Sequence, residues 1–215
     1  MKAVENAEVL GVEHIEVLVE EPSMETALRL LLPKILGATT FNVYVHQCKN
    51  DLLARLPERL RGYAKWIPSN WCIVVVIDRD DDDCTALKAN LEKTAIETNF
   101  TTRSRAENRA YNLVNRLAIE ELEAWYFGDW AAVRAAYPRV MATIPSQQKY
   151  RDPDAISGGT WEAFERILRK GGYFKGGLRK IEAAQTIAAY MDPTRNTSKS
   201  FQVLRAALLE MVIKR

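Results

Sequence analysis

One stretch constrains the fold of this chain more than any other. Residues 72 to 83, CIVVVIDRDDDD, run without a polar break through Cys72, Ile73, Val74, Val75, Val76 and Ile77 and end on Asp78, Asp80, Asp81, Asp82 and Asp83. A β-branched run with no internal polar residue predicts a strand buried on both faces, as in a parallel sheet. A second stretch, EHIEVLVEE at residues 13 to 21, climbs in the same way into Glu20 and Glu21. Ligands of open α/β sheets bind beyond the carboxyl ends of strands. If the two strands are neighbours, Glu20, Asp78 and Asp80 meet at one sheet edge.

The rest of the pattern fits such a sheet. A strand over 13–20 precedes a helix over 24–36, which Pro33 tightens or kinks near its end. FNVYVHQ from Phe41 predicts a second strand, and LLARLPERLRGYAKW a helical stretch broken at Pro57 and ending near Gly62. The third strand, 71–77, leads into a helix over 84–98 with Leu87, Leu91, Ala95 and Thr98 on one face. Strand and helix in alternation predict a parallel sheet with right-handed crossovers. Residues 1 to 12 read as a lead-in or short edge strand, and 99–110 as a loop with a short strand. LVNRLAI reads as a strand at 113–119, followed by a helix over 120–127, although one continuous helix is an open alternative. Asp129 caps a further helix over 130–136. Trp125, Tyr126, Phe127 and Trp130 are expected in the core, and His14 and His46 on strands or at the surface.

After Pro145 a turn-rich connection leads to helical patterns over 161–168, 178–190 and 200–213. The expectation is therefore an α/β core over residues 1–138 with a basic, mainly helical extension over 139–215 packed on it. Charge divides the same way: 16 basic against 21 acidic side chains before residue 139, and 14 against 7 after it. A basic excess of that kind attracts polyanions. No stretch approaches the length of a membrane helix, the N-terminus is too polar for a secretory signal, and three scattered cysteines make no disulfide framework. A cytoplasmic protein without membrane association is expected.

Carboxylates in an Asp-x-Asp pattern directly after a strand can both reach one hard cation. Mg²⁺ takes oxygen ligands and keeps several waters, so two or three carboxylates suffice. Such an ion polarises phosphoryl oxygens and activates water. Asp81 and Asp83 read instead as loop solvation or helix capping.

A strand ending in Glu and, two strands later, one ending in Asp-x-Asp resembles the Toprim fold of topoisomerases, primases and OLD-type nucleases. LVEEPSMETAL, VVVIDRDDDD and RLAIEELEAWYFGD together resemble an uncharacterised bacterial family of Toprim-like proteins, over about residues 13–137. The resemblance implies a Toprim-like α/β fold, with Asp78 and Asp80 as ligands of Mg²⁺ or Mn²⁺ and Glu20 as the acid/base group or the residue that completes the metal shell. For a second metal ion, as in OLD-type nucleases, it offers Glu25, Asp82, Glu121 and Glu123, with Glu121 preferred. Glu21 stands where Toprim nucleases usually carry glycine, and Met24 where OLD-type nucleases carry a second acid.

The expected function is a Mg²⁺-dependent phosphodiester hydrolase acting on DNA or RNA, in phage defence or repair. Lys170, Lys175, Arg179 and Lys180 are the candidate phosphate contacts. Without a Walker-type P-loop, any ATPase would be a separate partner. Two alternatives stand beside it: a non-catalytic interaction module on a Toprim scaffold, and a metal-dependent phosphotransfer enzyme acting on nucleotides.

Overall fold

The computed structural model describes residues 11–107 and 110–213. Most of the N-terminal lead-in, residues 1–10, lies outside the described residues. Four strands form one sheet in the order β2-β1-β3-β4: β1 His14–Val19, β2 Thr40–Val45, β3 Trp71–Asp78 and β4 Leu113–Ala118. All three pairings are parallel, and Val19 of β1 stands level with Val76 of β3. The fold is α/β, an open parallel sheet flanked by helices with a helical C-terminal extension, as the alternation predicted.

Period-two alternation in β1 and β3 feeds two separate cores. Ile15, Val17, Val19, Cys72, Val74 and Val76 face one side of the sheet. Leu18, Ile73, Val75 and Ile77 face the other. The second side is covered by α2 (Lys49–Tyr63), through Leu52, Leu56 and Leu60, and by α3 (Cys84–Glu97), through Leu87 and Leu91. The first side is covered by α1 (Pro22–Leu36) and by helices from the C-terminal half.

Pro57 does not break α2; the helix runs through it to Tyr63. Proline removes one i→i−4 hydrogen bond and crowds the preceding turn, but three buried leucines spaced four apart hold the helix on the sheet on both sides of it. Pro33 likewise lies inside α1 without ending it.

Leu113–Ala118 is a strand, which decides the open alternative. The following helix, α4 (Glu123–Gly128), starts three residues later than expected. The reason is local: the Glu120 carbonyl accepts from Asp80 N at 2.7 Å, and the Glu121 carboxylate accepts from Trp161 N at 2.9 Å. Asp129 caps α5 (Trp130–Ala136) by accepting from Ala132 N.

The extension contains α6 (Thr160–Lys170), α7 (Lys180–Tyr190) and α8 (Lys199–Ile213). It shares the core of the sheet: Phe164, Ala184, Ile187, Phe201, Leu204 and Leu208 are buried in the same cluster as Val17, Val74, Leu28 and Trp125. Trp125, Tyr126, Phe127 and Trp130 are core residues here, Phe127 and Trp130 stacking at 5.6 Å. His14 and His46 are also buried, His14 bonded to Glu16 at 2.8 Å and His46 next to Val19 O at 3.1 Å.

Candidate functional site

The strand order places a switch point between β1 and β3. The chain leaves β1 for β2 on one side through α1, and leaves β3 for β4 on the other through α3. Successive connections diverging from two adjacent parallel strands open a crevice at their carboxyl ends, where ligands of such sheets bind. Glu20 follows the last residue of β1 and Asp78 is the last residue of β3, so the two acids expected to meet do meet there. The Glu20 carboxylate accepts a hydrogen bond from the Asp78 backbone N–H.

Both are buried, at 4% exposure each. Burial pushes the Glu20 carboxyl up to about 7, against the pull of the Asp78 N–H, with the charge of Asp80 adding to the rise. The Asp78 carboxyl is also pushed up, by burial first and then by the nearby charges of Glu20, Glu21, Glu123 and Asp80. Its Oδ1 is buried without a hydrogen-bond partner. A buried carboxylate oxygen left unpaired is costly.

The remaining aspartates divide by role. The turn after β3 is pinned by Arg79 N to Ala118 O at 2.9 Å and Asp82 N to Arg79 O at 3.0 Å. Asp80 at its apex takes a left-handed backbone with φ +49°, a conformation aspartate tolerates better than most residues. Asp83 caps α3 by accepting from Ala86 N at 2.7 Å. Asp80 and Asp82 both pair with Lys49, at 2.5 and 2.7 Å.

Around these groups lies an open cleft of about 540 Å³, lined by Glu20, Glu21, Lys49, Asp78, Asp80 and Lys180 among others. Lys180, the first residue of α7, comes from the C-terminal extension and stands 3.8 Å from Glu21. Burial works against its charge, but Glu123, Glu21 and Glu121 together hold its pKa above the ordinary lysine value.

Of the other expected site residues, Glu121 is engaged with the start of α6 and does not line the cleft. Glu123 is 1% exposed, has Oε2 unpaired, and has its pKa pushed up to about 7 by burial; its charge helps to raise Asp78. Of the three glutamates of EELEAW it is Glu123 whose charge is felt by Asp78. Glu25 pairs with Arg29 at 2.8 Å. Among the four candidate phosphate contacts of the extension, Lys180 lines the cleft, while Lys170, Lys175 and Arg179 are exposed outside it, Arg179 pairing with Glu182 at 2.8 Å. Lys49 is the site residue that sequence reasoning missed; a lone lysine at a helix start carries no motif.

The donor set fits a hard divalent cation: carboxylate oxygens, one of them buried and unpaired, at the carboxyl end of a parallel sheet. Among the described residues, no group of three His, Cys, Asp or Glu side chains is already gathered in a metal-holding arrangement. Asp80 Oδ2 is instead paired with Lys49.

No described helix is long and apolar enough to cross a membrane. Residues 19–209 match a family described as "Domain of unknown function (DUF4276)", and the chain belongs to that family. No curated protein and no solved structure matches it.

Proposed function

We propose that this chain is a cytoplasmic, divalent-cation-dependent phosphodiester hydrolase of Toprim type that acts on DNA or RNA. The observation that carries the reading is the meeting of Glu20 and Asp78 at the switch point of the sheet, with a buried Asp78 oxygen lacking any partner and Asp80 on the same cleft.

Glu20, Asp78 and Asp80 would hold Mg²⁺ or Mn²⁺, with Asp82 on the same cleft to extend the set. Such an ion supplies polarisation of a phosphoryl oxygen and a more acidic bound water. Glu20, beside Asp78 at the end of β1, is placed to take a proton from an attacking water and return it to a leaving oxygen. Lys180 and Lys49 place two ammonium groups on the cleft wall, where they balance the negative charge of a bound phosphate. The basic excess of residues 139–215 supports a nucleic-acid substrate. Action in phage defence or repair, with a separate ATPase as partner, extends the same reading.

The test is cleavage of single- and double-stranded DNA and RNA with Mg²⁺ or Mn²⁺, comparing the wild type with Asp78→Ala, beside a calorimetric metal titration of both proteins. Metal-dependent cleavage by the wild type and its loss in the variant is the expected result. Metal bound equally by both proteins would sink the assignment of the site.

A second reading, a non-catalytic interaction module on the same scaffold, draws support from the pairing of Asp80 and Asp82 with Lys49 rather than with a shared centre. It expects no metal binding by either protein. A phosphotransfer enzyme acting on nucleotides would bind metal but show little salt dependence toward polynucleotides.

A further inference from the structure

Lys49 opens α2 and enters the cleft from the β2 side. An ammonium group has three hydrogens to donate, and three oxygens surround this one: the Arg79 carbonyl at 3.1 Å, Asp80 Oδ2 at 2.5 Å and Asp82 Oδ2 at 2.7 Å. The lysine side chain is only 13% exposed, whereas its two aspartates are about half exposed. The turn that carries these residues is fixed by the left-handed Asp80 and by Asp80 N to Glu120 O, so backbone geometry places the Arg79 carbonyl and the origin of both aspartate side chains. The result is a small oxygen cage occupied by a cation belonging to the protein itself.

Two consequences follow from charge and distance. A carboxylate oxygen committed to Lys49 is not free to serve a divalent ion, and that ion would also be repelled by the ammonium beside it. A phosphate arriving in the cleft offers Lys49 alternative oxygens of equal or greater charge. We infer that Lys49 is a resident counter-ion that gates cation loading: it holds Asp80 and Asp82 while the cleft lacks phosphate, and it releases Asp80 when a substrate phosphate takes over its ammonium. Metal and polyanion then bind cooperatively, each raising the affinity of the other by the same factor. The inference rests on the phosphodiester reading above and specifies how that site admits its ion.

The experiment is calorimetric titration of the full chain with Mn²⁺, for the wild type, Lys49→Met and Lys49→Gln, with and without a short phosphorothioate oligodeoxynucleotide. Removing one charge that competes for an aspartate tightens Mn²⁺ binding without oligonucleotide by on the order of tenfold. The oligonucleotide tightens Mn²⁺ binding to the wild type and has a smaller effect on both variants. Asp80 and Asp82 face solvent, so neither variant leaves a buried unpaired charge and both are expected to fold. Equal or weaker Mn²⁺ binding by the variants overturns the gate while leaving the proposed hydrolase standing. Absence of Mn²⁺ binding in all three proteins overturns both.

Discussion

Glu123 is where the electrostatics of single residues become measurable. Its carboxyl is buried, with one oxygen unpaired, and is held at about 7 against an ordinary value of 4.5, with Lys180 as the offsetting charge and Glu121 and Glu21 adding to the rise. A group whose folded pKa is raised binds an extra proton in the folded state, so its stabilising contribution is complete below 4.5 and is lost as pH rises through about 7. Glu20 acts in the same direction over the same window. In chelator, urea denaturation should therefore show Glu123→Gln more stable than the wild type at pH 8, by about 2 kcal/mol, and close to it at pH 4.5. An identical stability difference at both pH values would mean that Glu123 does not carry the proton. The two acids at the switch point were legible in the sequence because each ends an apolar run. Lys49 was not, because it stands at a helix start with no motif around it, and Lys180, read from sequence as a phosphate contact, could not be tied to this cleft because it comes from the C-terminal half. No local spacing encodes that convergence.

At the scale of elements, sequence periodicity failed where a buried face outweighs a local breaker. The leucines of α2 carry the helix across Pro57, and Glu120 and Glu121, expected in a helix, are drawn into contacts with the β3 turn and α6 before α4 begins. The end of α4 shows the reverse, a position where one atom decides. A Cβ built on Gly128 would lie 2.1 Å from Asn196 Oδ1 and 2.7 Å from Ser198 N. That approach is fixed by Asn196 Nδ2 donating to Trp125 O at 2.8 Å and Thr197 N donating to Gly128 O at 2.9 Å. The neighbouring Asp129, fully buried, also accepts both Arg195 Nε at 2.8 Å and Arg195 Nη2 at 2.9 Å, so the segment cannot simply move away. Gly128→Ala should accordingly cost about 2–3 kcal/mol, read as a lower urea midpoint with an unchanged slope. A variant as stable as the wild type would show that the loop over 195–198 yields freely.

The whole molecule behaves as a unit in which the extension completes the core, which composition alone did not reveal. The shift in charge after residue 138 marks a basic extension, and its removal offers itself as a test of substrate guidance. The packing argues against that test. Helix α7 lies on α1 and α8 on β4, and the Lys34 ammonium of α1 donates to the carbonyls of Ala188, Ala189 and Met191 at 2.8–3.0 Å, closing the end of α7. Asp154 accepts from Ser198 Oγ at 2.9 Å and Ser200 Oγ at 2.7 Å at the start of α8. Phe164, Phe201, Leu204 and Leu208 are at most 1% exposed. At about 2 kcal/mol for each buried side chain, these four alone match the net stability of an ordinary domain, about 5–15 kcal/mol. A chain ending at residue 138 would leave the α1 face of the sheet open, Lys180 missing from the cleft and Trp125 facing water. It should lack the cooperative thermal transition of the full chain by circular dichroism and bind a hydrophobic dye. Polyanion guidance by the extension is consequently better tested with the full chain, by reversing the charge of Lys170 and Lys175, which are exposed outside the cleft. If the truncated chain instead melted cooperatively at an unchanged temperature, the shared core would be a contact between two independent units, and deletion would become the right test after all.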